Sequence, residues 1–82
     1  MTSNDFMSEV EWLETFGDNL KVMLDEYGMT QRELADEARL SEAAVSSYVN
    51  GQKMPTARAI VNIAYVLDCD TDELINFDKL VI

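Results

Sequence analysis

Histidine is absent from this 82-residue chain, and cysteine occurs once, at Cys69. These absences remove most of the side chains that serve nucleophilic catalysis, proton transfer near neutral pH and zinc ligation. No enzymatic role, cofactor or metal is therefore expected. A lone cysteine forms no internal disulfide. Long apolar runs are missing as well: none approaches the roughly 18 residues that a membrane span needs, and no basic start followed by an apolar stretch marks a signal peptide. The expectation is a water-soluble protein of the reducing cytoplasm. Cations are scarce, six against sixteen carboxylates, for a formal net charge of −10.

What is present suits a small helical body. An apolar fraction of 48% is ample for a core, and a chain of this length is expected to form one domain over residues 1–82. Sustained β-type alternation is nowhere found, and Gly28, Gly51 and Pro55 split the chain into helical blocks. Ser8 with Glu11 reads as a capping box opening helix 1 near Glu9, and Met7 with Trp12 has the spacing of a hydrophobic staple. Its core stripe is expected at Val10, Leu13, Phe16, Leu20, Met23 or Leu24, and Tyr27, with Gly28 in the left-handed closing position. Thr30 with Glu33 opens a second helix with Leu34, Ala35 and Ala38 inward. Ser41 caps a third, with Val45, Tyr48 and Val49 inward and Asn50-Gly51 at its end. Thr56 caps a fourth, lined by Ile60, Ile63, Ala64 and Leu67, and Asp70 with Glu73 opens a short fifth that points Leu74 at the core. Asp68, Asp70 and Asp72 match the first positions of a calcium loop, but Glu73 stands where the loop needs glycine and Lys79 where it needs a bidentate glutamate. A polar loop opening a helix is the better reading.

Two short helices joined by about three residues make a poor isolated unit but a familiar DNA reader. The run T-Q-x-x-L-A from Thr30, L-S-x-x-x-V-S from Leu40, then Asn50-Gly51, Pro55-Thr56 and I-x-x-I-A-x-x-L from Ile60, resembles the phage repressor and Cro, or Xre-like, helix-turn-helix family over residues 16–76. The resemblance implies an all-α, five-helix lambda-repressor-like domain, with residues 1–15 leading into helix 1 and residues 77–82 forming an apolar tail. It also implies a sequence-specific regulator whose third helix enters the major groove. By that analogy Glu42, Ala43, Ser46 and Ser47 face base edges, while Gln31, Asn50, Lys53 and Thr56 hold phosphates, Thr56 with the help of the amides opening helix 4. Ser46 and Ser47 are equally explained as solvated positions. Three positions depart from the family: Arg39 stands at a turn where glycine is common, Leu24 where a cation often meets phosphate, and Glu42 puts a carboxylate first in the reading helix.

Charge is unevenly placed. Residues 1–28 hold seven acids and one base, residues 29–58 four of each, and residues 59–82 five acids and one base. The helix-turn-helix is thus neutral and the excess negative charge flanks it, which disfavours every approach to DNA except one face; simple solvation of helix surfaces explains the same count. Apolar ends (Phe6, Met7, Val10, Trp12 and Leu13; Phe77, Leu80, Val81 and Ile82) either cover the domain's own flank, including Val61 and Tyr65, or meet a second subunit. The expected protein is a nucleoid-associated regulator that binds a palindromic double-stranded operator as a homodimer, with no membrane or small-molecule effector. The alternative is an acidic module on the same scaffold, antirepressor-like or antitoxin-like, that engages a basic protein.

Overall fold

Backbone amides at a helix start lack partners within the helix, so a side-chain oxygen placed just before the first turn decides where a helix can begin. The computed structural model describes residues 8–75. It places α1 at Glu9–Tyr27, α2 at Gln31–Ala38, α3 at Glu42–Val49, α4 at Ala57–Val66 and α5 at Thr71–Leu74, with no strand among the described residues. Ser8 and Glu11 exchange both bonds of a capping box, at 2.9 and 3.1 Å. Thr30 and Glu33 do the same at 2.9 and 3.1 Å. Ser41 Oγ accepts from the Ala44 amide, and Thr56 Oγ1 from that of Ala59, both at 3.0 Å. At α5 the Asp70 amide donates to Glu73 Oε1 at 2.9 Å.

The four longer helices also stop alike. Gly28, Arg39, Gly51 and Asp68 take left-handed backbone, at φ of 75°, 61°, 69° and 53°. After each, the next amide reaches back five residues: Met29 to Leu24, Leu40 to Ala35, Gln52 to Ser47 and Cys69 to Ala64, at 2.8 to 3.0 Å. Orphan carbonyls at the helix ends are thereby satisfied. Arg39 accepts the left-handed backbone that glycine would hold more easily.

The core gathers Phe16, Leu20 and Leu24 of α1, Leu34, Ala35 and Ala38 of α2, Val45, Tyr48 and Val49 of α3, Ala59, Ile63 and Ala64 of α4, with Leu67 and Leu74. Two residues expected in the α1 stripe are not in it: Val10 is 62% and Tyr27 51% exposed, and Leu13 is only half-buried. Nineteen residues of α1 extend about 28 Å at 1.5 Å each, against about 12 Å for the eight-residue α3 on which it packs, so α3 covers only part of the α1 stripe. In α4, Ile60 is half-buried and Ala59 is the residue turned fully inward. Met7, and the terminal apolar residues Phe6, Phe77, Leu80, Val81 and Ile82, lie outside the described residues.

Gly17 fixes how α1 meets α3. It is buried in the middle of α1, where glycine weakens a helix by about 1 kcal/mol relative to alanine. A Cβ there would lie 2.5 Å from the Val49 carbonyl oxygen and 2.9 Å from that of Tyr48. The last turn of α3 therefore runs directly under α1. Around the crossing, Trp12 stacks on Phe16 with ring centroids 5.2 Å apart, and Phe16 meets Tyr48 edge-on at 6.4 Å. Two amides tie distant elements: Asn62 Nδ2 donates to the Ala38 carbonyl at 3.0 Å, and Asn19 Nδ2 to that of Leu74 at 3.4 Å.

These geometries predict opposite outcomes for two changes involving glycine. Gly17→Ala should lower unfolding stability by at least about 1 kcal/mol, because a clash against backbone outweighs alanine's helix propensity. Arg39→Gly should raise it by about 0.5 to 1 kcal/mol by relieving left-handed strain. Urea unfolding measures both; a Gly17→Ala chain as stable as the parent would mean that α1 and α3 do not meet this closely.

Candidate nucleic-acid interface

The joint between α2 and α3 comprises residues 39–41. Arg39 turns the chain through the left-handed region, Leu40 is half-buried with its amide on Ala35, and Ser41 starts α3. Asn62 of α4 holds the Ala38 carbonyl from the other side, so α3 leaves α2 in a direction set at both ends of the turn. Arg39 departs from the common glycine without losing the turn.

On α3 the inward residues are Val45, Tyr48 and Val49. At 3.6 residues per turn, positions 42, 43, 46, 47 and 50 fall within an arc of about 140° on the opposite side. Glu42 and Ala43 are exposed, Ser46 and Ser47 half-buried, and Asn50 exposed just past the last turn. Asn50 Nδ2 donates to Ser46 Oγ at 3.4 Å. That bond is long and solvent-facing, so either partner can exchange it for a stronger one. Glu42 occupies the first helical position after its cap, where the helix dipole favours a carboxylate whatever lies outside.

The other expected contacts lie on neighbouring elements. Gln31 is half-buried in the first turn of α2, Lys53 is exposed in the loop between Gly51 and Pro55, and Thr56 is exposed at the cap of α4. The Thr56 side-chain oxygen already serves Ala59, leaving the amides of Ala57 and Arg58 as the open donors of that helix start. Among the described residues no hydrogen bond or ion pair links Gln31, Lys53 and Thr56 to one another; only Ser46 and Asn50 are directly joined. Leu24 is 6% exposed and belongs to the core, so it cannot stand beside a phosphate.

Three cations escaped assignment from sequence. Arg32 in the first turn of α2, Arg39 at the turn and Arg58 in the first turn of α4 are exposed. Within the described residues the ion pair is Lys21 with Asp18, at 4.0 Å on α1, so these arginines and Lys53 have no carboxylate partner there. A signal for them was present in the sequence: residues 43–67 contain no carboxylate at all, in a chain that has sixteen. That stretch spans α3 beyond Glu42, the following loop and all of α4. The negative charge lies elsewhere, on α1, on the outer side of α2 and around Asp68, Asp70, Asp72 and Glu73.

Cys69 belongs to that acidic end. Partial burial, then the carboxylates of Glu73, Asp70 and Asp68, push its thiol above the ordinary value, so thiolate is scarce at neutral pH. Among the described residues no group of three or more carboxylate or thiol side chains is disposed to hold a metal ion. No helix among them is long and apolar enough to cross a membrane.

Comparison with known proteins places this arrangement. The profile of the helix-turn-helix family HTH_3 matches residues 20–74. The uncharacterized HTH-type transcriptional regulator YqaE of Bacillus subtilis is 30% identical over 60 residues, 73% of this chain but 52% of YqaE, so the chain spans about half the length of that relative. The restriction-modification controller protein C.AhdI from Aeromonas hydrophila superposes with a TM-score of 0.74 at 29% identity, covering 76% of this chain and 94% of that one. The clp gene regulator ClgR of Corynebacterium glutamicum matches at 0.73 and 24% identity, over 77% of this chain and 67% of its own. An HTH_3 family transcriptional regulator of Vibrio cholerae matches at 0.80 and 20%, over 89% and 42%. The last two show the shared fold alone. The matched residues 20–74 span α2, the turn at Arg39, α3 and α4, and the chain belongs to the helix-turn-helix family HTH_3.

Proposed function

We propose that this chain is a transcriptional regulator that binds a short palindromic operator in double-stranded DNA as a homodimer, in the cytoplasm and on the nucleoid. The observation that carries the reading is the carboxylate-free stretch 43–67, which supplies the outward face of α3 and the start of α4 in a molecule otherwise dominated by negative charge. A polyanionic protein can approach DNA only where its own field is interrupted. Relatives described as a transcriptional regulator and a restriction-modification controller support the same class.

In this reading α3 lies in the major groove, with Glu42, Ala43, Ser46 and Ser47 toward base edges. Asn50 exchanges its bond to Ser46 for a phosphate, as Ser46 turns to a base. Gln31 and Thr56 hold the backbone on either side, with the amides opening α4 adding a site for anionic oxygen. Lys53, with Arg58 and Arg32, supplies positive charge. Selecting bound duplexes from a random pool at low salt tests the reading: it predicts a palindromic consensus, and a pool that remains unenriched would contradict it.

Two further outcomes follow. Each neutralised phosphate contributes about −0.9 to the slope of log affinity against log salt, so with about two or three of these cations on phosphates in each subunit the dimer slope is about −3.6 to −5.4. Titrations at several salt concentrations measure it, and a slope near −10 would mean that more cationic surface is engaged. Glu42→Gln should raise affinity for random DNA, since phosphates repel the carboxylate. If Glu42 accepts from a cytosine amino group, the same change also removes about 1 to 3 kcal/mol of discrimination at one base pair. Competition binding against single-base variants of the selected site reads both effects; unchanged discrimination would confine Glu42 to starting α3.

A further inference from the structure

Beyond Arg58 the outward side of α4 has no role in the DNA-binding reading, and it carries Tyr65, the most exposed of the large apolar side chains among the described residues. Tyr65 is 86% exposed and Val61 56%. They follow Arg58 at the spacing of one helix face, so the three form a stripe that starts at the proposed DNA edge and runs away from it. Beside the stripe lies an open groove of about 330 Å³, with Ala38, Val61, Tyr65 and Val66 along it and Glu37 and Arg39 at its rim.

We propose that this stripe receives a second copy of the same chain, α4 against α4 about a two-fold axis, with Tyr65 of each copy in the groove of the other. The inference rests on the homodimer of the preceding reading and names its interface. Charge selects the occupant. Two copies of a −10 chain repel across most pairs of surfaces, and among the described helices α4 is the one without a carboxylate. The groove rim carries one acid and one base, neither ion-paired among the described residues. In the proposed dimer Glu37 of each copy pairs with Arg39 of the other, an arrangement in which the one acid and one base of the rim complement themselves, as an isologous contact requires. A tyrosine held at the centre of such a patch is the side chain that most often carries binding energy in a protein interface. Docking through Val61 and Tyr65 leaves the outward face of α3 open on both copies.

Sedimentation equilibrium and thermal melting of the full chain test this with Tyr65→Glu and Val61→Asp, residues exposed enough for the fold to tolerate both. The expected result is a dimeric parent and at least about a 30-fold weaker dimer in each variant, with unchanged helicity and with any fall in melting temperature vanishing at concentrations where the parent too is monomeric. Glu37→Arg should also weaken the dimer, and adding Arg39→Glu to it should restore the association. Variants that dimerise like the parent would overturn this interface while leaving the homodimer standing. Unchanged sedimentation with a lowered melting temperature in Tyr65→Glu would overturn it in favour of cover by the chain's own terminal residues. A parent that is monomeric at every concentration would remove the homodimer and this interface together.

Discussion

The approach of α1 to the end of α3 at Gly17 is the constraint on which the rest of the site depends. An eight-residue helix with three inward side chains is too short to persist alone, so α3 takes its direction from what grips it. At its start the grip is the turn through Arg39 and Leu40, backed by Asn62 on the Ala38 carbonyl. At its end the grip is backbone on backbone, the Tyr48 and Val49 carbonyls against the bare Cα of Gly17, with the Tyr48 ring edge-on to Phe16. Held from two ends, α3 presents one arc of small and polar side chains outward without using any of them to fold.

That economy of side chains explains how an acidic protein can carry a helix-turn-helix. Burial is supplied by alanines, leucines, valines and aromatics, and helix starts by hydroxyls, so no carboxylate is needed structurally between residues 43 and 67. Carboxylates gather instead on the long exposed sides of α1 and α2 and near α5, where they stay hydrated and concentrate the negative charge. Arg32, Lys53 and Arg58, exposed and without carboxylate partners among the described residues, can then mark the proposed DNA face, because the contrast with the acidic surface is large.

Local chemistry was legible in the sequence and long-range contact was not. Ser8, Thr30, Ser41 and Thr56 announce helix starts through bonds to residues three positions on, and each such bond is present. The inward residues of α2 and α3 follow from short, strict periodicity. Val10 and Tyr27 fit the period of α1 yet are more than half exposed, since periodicity gives a face and not the extent of what covers it. Gly17 has no local signature: its reason lies 32 positions away, at Val49. Arg32 and Arg58 were visible as charges but could be placed only when the first turns of α2 and α4 were known to be exposed. The outward direction of 42, 43, 46, 47 and 50 follows from where Ser41 starts the helix, whereas the contact each makes depends on a partner.

The central claim is that the face built by the start of α2, the outward arc of α3 and the start of α4 meets DNA. Amide chemical shifts of the isotope-labelled chain, followed while a short duplex is added at low salt, test it most directly. The account predicts changes concentrated at Gln31 and Arg32 and across residues 42–58, with α1 and the acidic end around Asp68 and Glu73 unaffected. Changes centred on α1, or none at any residue at the lowest salt, would contradict it.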